Sequence, residues 1–261
     1  MLVSLIITTY NRPEALLLVL QSVEKQSSSI LEVIIADDGS SIETEELIIK
    51  FQESTHLKVI HSWQENNGFR AAKSRNRAIA KSNAEYIILI DGDMILHKDF
   101  VQDHINNAEK GFFIQGTRVL LSKGTTQDVL KRMRVNLSFL SNGVKNRKNL
   151  IHSNFLSKIF QKKTKHLRGI KTCNMSFFKE DCIHINGFNN DFEGWGREDT
   201  EFAVRLINSG VLRKNLRFSA IQFHLWHFEH IRTSLVKNDL ILKSTINSNS
   251  MWCTDGIDKY L

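Results

Sequence analysis

The feature that most constrains the fold is a β-branched strand that ends in polar residues and passes at once into a helix, repeated along the first half of the chain. Val3-Ser4-Leu5-Ile6-Ile7-Thr8-Thr9 reads as such a strand. Asn11-Arg12-Pro13 follows and places the single proline where it can open a helix, behind which Leu16, Leu17, Leu20 and Val23 recur at helical spacing. Residues 31–36 predict a second, buried strand, stopped by Asp37-Asp38-Gly39-Ser40-Ser41; a helix over 45–51 and a short strand at 57–60 come next. After the turn signal Asn66-Asn67-Gly68-Phe69, a helix is expected over 71–81, and the very apolar strand 85–90 ends in Asp91-Gly92-Asp93. Strands joined by crossover helices run parallel. The expectation is an α/β chain with a Rossmann-like, mostly parallel sheet flanked by helices.

In open sheets of this kind a ligand binds beyond the carboxyl ends of the strands. Polar residues gather at three such ends, residues 8–12, 37–41 and 91–93, so these loops are expected to face one cleft. Beyond them, 111–121 predicts a strand, 187–199 a glycine- and asparagine-rich loop, 198–209 a helix closed by Gly210, and 216–223 a late strand. One continuous domain is expected, with residues 1–110 as its first part, 111–235 as its second and 236–261 as a tail.

Length and composition fit this reading. A chain of 261 residues with 41% hydrophobic and 24% charged residues can bury a sizeable core, and it is far from a disordered composition. No apolar run approaches the roughly 20 residues that cross a bilayer. The N-terminus lacks the basic start and small-residue cleavage site of a leader, and Cys173, Cys182 and Cys253 form no even framework, so reduced thiols in a cytoplasmic protein are expected. The net charge of +7 is uneven: thirteen of the 35 Lys and Arg fall between Val129 and Lys179, where no Asp or Glu occurs. The stretch 129–171 has few helix or strand signals and reads as a basic insertion.

Asp91-Gly92-Asp93 can present hard oxygen ligands to Mn²⁺ or Mg²⁺ holding a diphosphate, although Asp and Gly are also ordinary turn residues. The wider pattern resembles the inverting nucleotide-sugar glycosyltransferases of family 2, with their A-type fold. The residues that carry the resemblance are Ser4-Leu5-Ile6-Ile7-Thr8-Thr9-Tyr10-Asn11-Arg12, Glu32-Val33-Ile34-Ile35-Ala36-Asp37-Asp38-Gly39-Ser40, Asn67-Gly68-Phe69-Arg70-Ala71-Ala72-Lys73-Ser74-Arg75-Asn76 and Tyr86-Ile87-Ile88-Leu89-Ile90-Asp91-Gly92-Asp93. The resemblance implies a nucleotide-sugar site in residues 1–110, with a UDP-sugar as donor. Thr8, Tyr10 and Arg12 would line the base pocket, Asp38 would accept a hydrogen bond from the base, Arg75 would lie near the diphosphate or base, and Asp91 and Gly92 would border the donor.

Residues 187–202, with Gly194-Trp195-Gly196-Arg197-Glu198-Asp199 at their centre, resemble the C-terminal motif of β-1,4-galactosyltransferases and bacterial chondroitin-type polymerases. That implies Asp199 as catalytic base, Glu198 as an acceptor-holding neighbour, and a role in making bacterial cell-surface polysaccharide. Inversion by direct displacement needs such a base within reach of the acceptor hydroxyl, and a metal held partly by Asp93 balances the departing diphosphate. Both acids also suit a helix N-terminus without any catalytic duty. Trp195 offers a face for a sugar ring, or it fills the core; flanking Gly194 and Gly196 predict an exposed, mobile loop.

His224, His227 and His230 recur every three residues, but they follow a strand, which argues against a helical zinc site. The resemblance implies one histidine completing the metal shell with Asp93; His227 is the best positional match and His224 the weaker one. In the basic stretch, Phe139, Phe155, Leu156, Ile159 and Phe160 interleave with Lys145, Arg147, Lys148, Lys158, Lys162, Lys163 and Lys165. Peripheral contact with anionic lipid at the inner face of the membrane is one reading, in keeping with a lipid-linked glycan acceptor, and a solvated insertion is the other. No nucleic-acid module is visible. The expected activity is transfer of Gal, GalNAc or GlcNAc to a glycan; a nucleotidyltransferase and a non-catalytic glycan-binding or scaffolding protein are the alternatives.

Overall fold

The structure, a computed structural model, describes residues 1–133, 137, 140–228 and 232–261. The first half follows the expected alternation: β1 (Val3–Thr9), α1 (Pro13–Val23), β2 (Glu32–Asp37), α2 (Ile42–Ser54), β3 (Val59–Trp63), α3 (Ala71–Lys81) and β4 (Tyr86–Asp91). The second half adds β5 (Met94–Leu96), α4 (Phe100–Asn107), β6 (Phe112–Gln115), β7 (Val119–Leu121), α5 (Lys123–Arg132), β8 (Val144–Lys145), α6 (Asn154–Phe160), β9 (Lys162–Thr164), β10 (Asn174–Phe178), α7 (Lys179–His184), α8 (Glu198–Asn208), β11 (Leu212–Asn215), β12 (Gln222–His224) and α9 (Leu235–Asn247).

The main sheet has the order β3-β2-β1-β4-β10-β6-β11-β9. β1, β2, β3 and β4 pair in parallel, β10 runs antiparallel between β4 and β6, and β11 is parallel to β6. This mostly parallel sheet flanked by helices agrees with the expected class. Alternation along β1 feeds both faces. Leu5 and Ile7 join α1 and Phe51 of α2 on one side, while Ile6 joins α3 and Phe202 and Leu206 of α8 on the other. Each such side chain, withdrawn wholly from water, contributes about 1.5–3 kcal/mol.

Three segments depart from the expectation. Residues 111–121 form two strands in two sheets, because the chain turns at Gly116, where a Cβ would overlap the Asn174 side chain. The expected late strand 216–223 is also split: β11 precedes it and β12 begins only at Gln222, since Phe218 (φ 62°) and Ala220 (φ 48°) adopt left-handed backbone that extended chain does not allow. β12 then joins β5, β7 and β8 in a smaller four-stranded sheet. The described residues of the basic stretch form more regular structure than its weak signals predict. It supplies α6, adds β8 to the smaller sheet and closes the edge of the main sheet with β9.

Residues 236–261, set apart in the sequence as a tail, pack closely on the rest. Asn238 of α9 donates to the carbonyls of Glu193 and Gly196, and Ile257 is fully buried. All three cysteines are buried and unpaired, and burial pushes each thiol up to about 12. No described helix is long and apolar enough to cross a membrane.

Candidate functional site

Sheet register places the polar loops together. Thr8 of β1 lies between Ala36 of β2 and Asp91 of β4, so residues 10–12, 38–41 and 91–93 leave three adjacent strands in the same direction. Gly92 tightens the third turn. Its N–H donates to the Thr8 carbonyl at 2.7 Å, and a Cβ there would stand 3.0 Å from Thr9 Oγ1.

Asp93 is the centre of the first cluster. Its Oδ2 accepts from Arg12 Nη1 at 2.9 Å and lies 3.4 Å from His227 Nε2 and 3.5 Å from His224 Nε2. Among the described residues its buried Oδ1 has no partner, a costly arrangement for a carboxylate oxygen unless a ligand uses it. Burial alone would raise the Asp93 pKa, but the His224 hydrogen bond and the charges of His224, Arg12 and His227 outweigh it and hold it below the ordinary carboxylate value. His227 Nδ1 lies 2.6 Å from the Phe228 carbonyl, which can only accept, so Nδ1–H donates there and the ring is held with Nε2 toward Asp93. Ligand atoms of Asp93, His224 and His227 all lie within 4.8 Å of one another, and one carboxylate with two imidazoles is a donor set suited to Mn²⁺ or a related divalent ion. Sequence reasoning ranked His224 low, yet it stands as close to Asp93 as His227 does. The missing signal was the pairing of β12 with β5, which sets His224 beside Met94. His230 lies outside the described residues.

The second cluster is built on Arg75 of α3. Its Nε donates to Thr8 Oγ1 at 3.2 Å and its Nη1 to Glu198 Oε1 at 3.2 Å, while Nη2 lies 3.6 Å from Asp91 Oδ1. One buried guanidinium thus joins β1, β4 and the start of α8. Burial raises the Asp91 pKa, with Arg75 opposing and Asp93 adding to the rise. Asp199 follows Glu198 in the first turn of α8. Burial first, and then the Glu198 charge, raise its pKa to about 7, against the pull of Arg75 and two hydrogen bonds from Thr200. A carboxyl poised there can take up and release a proton at neutral pH.

The loop that carries Asp199 is held by asparagines that sequence reasoning gave no role. Asn76 of α3 donates to the Phe188 carbonyl at 2.6 Å and accepts from the Phe188 N–H at 2.8 Å. Gly187, at φ +68°, lets the two segments meet, because a Cβ would overlap Asn76 Oδ1. Phe188 then stacks on Phe202 of α8 with ring centroids 4.1 Å apart. Trp195 is exposed, as expected, with the Arg232 guanidinium 5.0 Å from its ring centroid. The loop around it is better anchored than its glycines suggested: the Gly194 N–H donates to the Phe69 carbonyl, and Asn238 clasps the carbonyls of Glu193 and Gly196.

Two of the residues expected at the base have other partners. Arg12, expected to line the base pocket, pairs with Asp93. Asp38 already accepts from Gln64 Nε2 at 2.5 Å and from the Arg70 N–H at 2.7 Å, so it braces the turn before α3. Burial raises its pKa, with those bonds opposing. Tyr10 is exposed, its hydroxyl accepting from Asn66, and Thr8 is half-buried.

Comparisons with known proteins bear on this site. A sequence model described as glycosyl transferase family 2 matches residues 4–181, and one described as the N-terminal domain of galactosyltransferase matches residues 155–232. Hyaluronan synthase of Pasteurella multocida is 25% identical over 234 residues, covering 82% of this chain and 23% of the relative. Chondroitin synthase of Escherichia coli is 25% identical over 245 residues, covering 85% of this chain and 34% of the relative, so the chain spans only about a quarter to a third of these two proteins. The crystal structure of Staphylococcus aureus TarS residues 1–349 in complex with UDP superimposes with a TM-score of 0.65 at 15% identity, over 95% of this chain and 65% of that one. The fold is that of the A-type glycosyltransferases.

Proposed function

The chain belongs to glycosyl transferase family 2, and on that premise we propose that it is an inverting transferase moving Gal, GalNAc or GlcNAc from a UDP-sugar to a glycan acceptor. The observation that carries this reading is the ion-pair chain from Asp91 through Arg75 to Glu198, which ties the donor-side turn to the helix start bearing Asp199. UDP bound to TarS, and the synthase relatives, support a UDP-sugar donor.

In the proposed reaction the Asp199 carboxylate takes the proton of the acceptor hydroxyl. The acceptor oxygen attacks the anomeric carbon as the bond from that carbon to the diphosphate breaks on the opposite face, so the configuration inverts. Glu198, held by Arg75, keeps a negative charge beside Asp199 and so keeps its proton affinity high. Asp93, His224 and His227 would hold a divalent ion, Mn²⁺ in preference to Mg²⁺ because two of the three donors are imidazoles, and when bound it supplies positive charge for the departing diphosphate. Tyr10 and Thr8 border the uridine side of the cleft, and Trp195 offers the acceptor sugar an apolar face.

The acceptor is proposed to be lipid-linked, with the basic segment peripheral to an anionic membrane. Phe155 and Ile159 of α6 are exposed beside Lys158, Lys162 and Lys163, the mixture that suits an interface. Phe139, also part of that expectation, lies outside the described residues. A screen of UDP-sugars with Mn²⁺ tests the reaction: release of UDP and a β-linked product is expected. Release of pyrophosphate would instead identify a nucleotidyltransferase, and no turnover of any donor would favour a glycan-binding role.

A further inference from the structure

The Asp93 cluster sits at one end of the β5–β12 pair; a second group of metal-ligating side chains sits at the other. β12 pairs antiparallel to β5, with His224 beside Met94 and Gln222 beside Leu96, and His97 follows directly after Leu96. His97, Asp99 and His152 each offer a ligand atom, and these atoms lie within 4.8 Å of one another. We propose that His97, Asp99 and His152 form a second metal site, distinct from the Asp93 cluster, that takes a borderline divalent cation such as Zn²⁺ and pins the basic segment to the start of α4.

Three observations support it. The first is spacing. Asp99 Oδ2 stands 3.7 Å from His97 Nδ1, and the rings of His97 and His152 lie 4.8 Å apart at 34°. Neighbouring ligands of a tetrahedral ion with bonds of ~2.0 Å are ~3.3 Å apart, close to the Asp99–His97 spacing, and binding through His97 Nδ1 would replace the Asp99 N–H that it now accepts at 3.3 Å.

The second is a carboxylate behind the site. Asp103 of α4 is buried, and its Oδ2 lies 2.9 Å from His152 Nε2 while accepting the Ala220 N–H at 2.7 Å. A histidine that gives its Nε2–H to a buried carboxylate has its ring fixed and its Nδ1 lone pair available, which is how metal-bound histidines are held in carboxylate–histidine–zinc arrangements.

The third is a fixed frame. The His97 N–H donates to the Ile221 carbonyl, the His97 carbonyl accepts from Gln26, and the Ser153 N–H next to His152 donates to the Phe218 carbonyl. The three side chains are about a quarter exposed, at 29%, 27% and 25%, so an ion can enter from solvent without opening the fold. Two imidazoles and one carboxylate favour Zn²⁺ over Mg²⁺ or Ca²⁺, which prefer all-oxygen shells.

Equilibrium dialysis against Zn²⁺ tests the site, with Asp93→Ala used to disable the other cluster. The Asp93→Ala protein is expected to bind one Zn²⁺ and to gain melting temperature with it. Adding His97→Ala or the milder His152→Gln should abolish both effects, and Asp103→Asn should weaken binding about 10–100-fold. If Asp93→Ala binds no Zn²⁺, or binds it equally well with His97→Ala or His152→Gln added, the proposal is wrong. A parent that binds one Zn²⁺ instead of two, with that ion kept by Asp93→Ala, would count against the Asp93 cluster while supporting this one.

Discussion

Arg75 and Glu198 are 123 residues apart in the chain, yet Nη1 of one lies 3.2 Å from Oε1 of the other, and this largely buried pair ties α3 to the start of α8. Removing one member leaves the other charge buried and unbalanced. Arg75→Met should therefore lose about 3–5 kcal/mol in chemical denaturation. Arg75→Lys should recover only part of this, since an ammonium cannot reach Thr8, Asp91 and Glu198 at once. Equal stability of the Met variant and the parent would remove Arg75 from its assigned position.

The proton affinity of Asp199 sets a pH dependence. A base must be ionised to act, so kcat/KM should rise with pH and reach half its plateau near the Asp199 value of about 7. Glu198→Gln removes the neighbouring charge that favours the protonated form, so the inflection should move to lower pH. Stability follows the opposite slope. The ordinary value for Asp199 is 3.8, and between that and about 7 the folded chain holds a proton that the unfolded chain has lost. Folding stability from this group therefore declines as pH rises through that window, and Asp199→Asn should melt above the parent at pH 8. An unmoved inflection in Glu198→Gln would contradict the assignment.

Metal affinity should depend on both histidines near Asp93. His224→Ala and His227→Ala are each expected to weaken Mn²⁺ binding at least tenfold, measured by the relaxation of water protons. Because Arg12 already occupies Asp93 Oδ2, Arg12→Met should bind Mn²⁺ more tightly than the parent in the absence of donor. Loss of affinity from His227→Ala alone would restrict the shell to one histidine.

Close approach at Gly187 makes a further prediction about the loop that carries Asp199. Gly187→Ala combines a left-handed φ of +68° with overlap on Asn76 Oδ1 and a contact of 2.7 Å to Ile257, and should cost more than about 3 kcal/mol. Asn76→Ala should cost about 2 kcal/mol, because it strands the buried N–H and carbonyl of Phe188. Urea titration of the two variants measures both.

Much of the first half was legible because its signals are local. Pro13, the apolar spacing behind it and the polar residues after each strand state strand, helix and cleft without any tertiary information. The second half was less legible because its contacts are distant. Arg75 reads as a helix residue near a phosphate until Glu198 folds back onto it, and nothing near His224 in the sequence announces that β12 will run beside β5. The basic segment lacked helix and strand periodicity because its short elements are held by their neighbours: β9 has meaning only against β11, and α6 takes its N-cap from Ser153. Gly194 and Gly196 suggested mobility because Asn238, which ties that loop down, comes more than forty residues later.

The central claim is that Asp199 is the base of an inverting sugar transfer, and Asp199→Asn tests it most directly. Measured with a UDP-sugar found active in the parent, the variant should bind UDP as the parent does while single-turnover transfer falls by about 10²–10⁴-fold. Transfer at the parent's rate by a correctly folded Asp199→Asn protein would contradict the account.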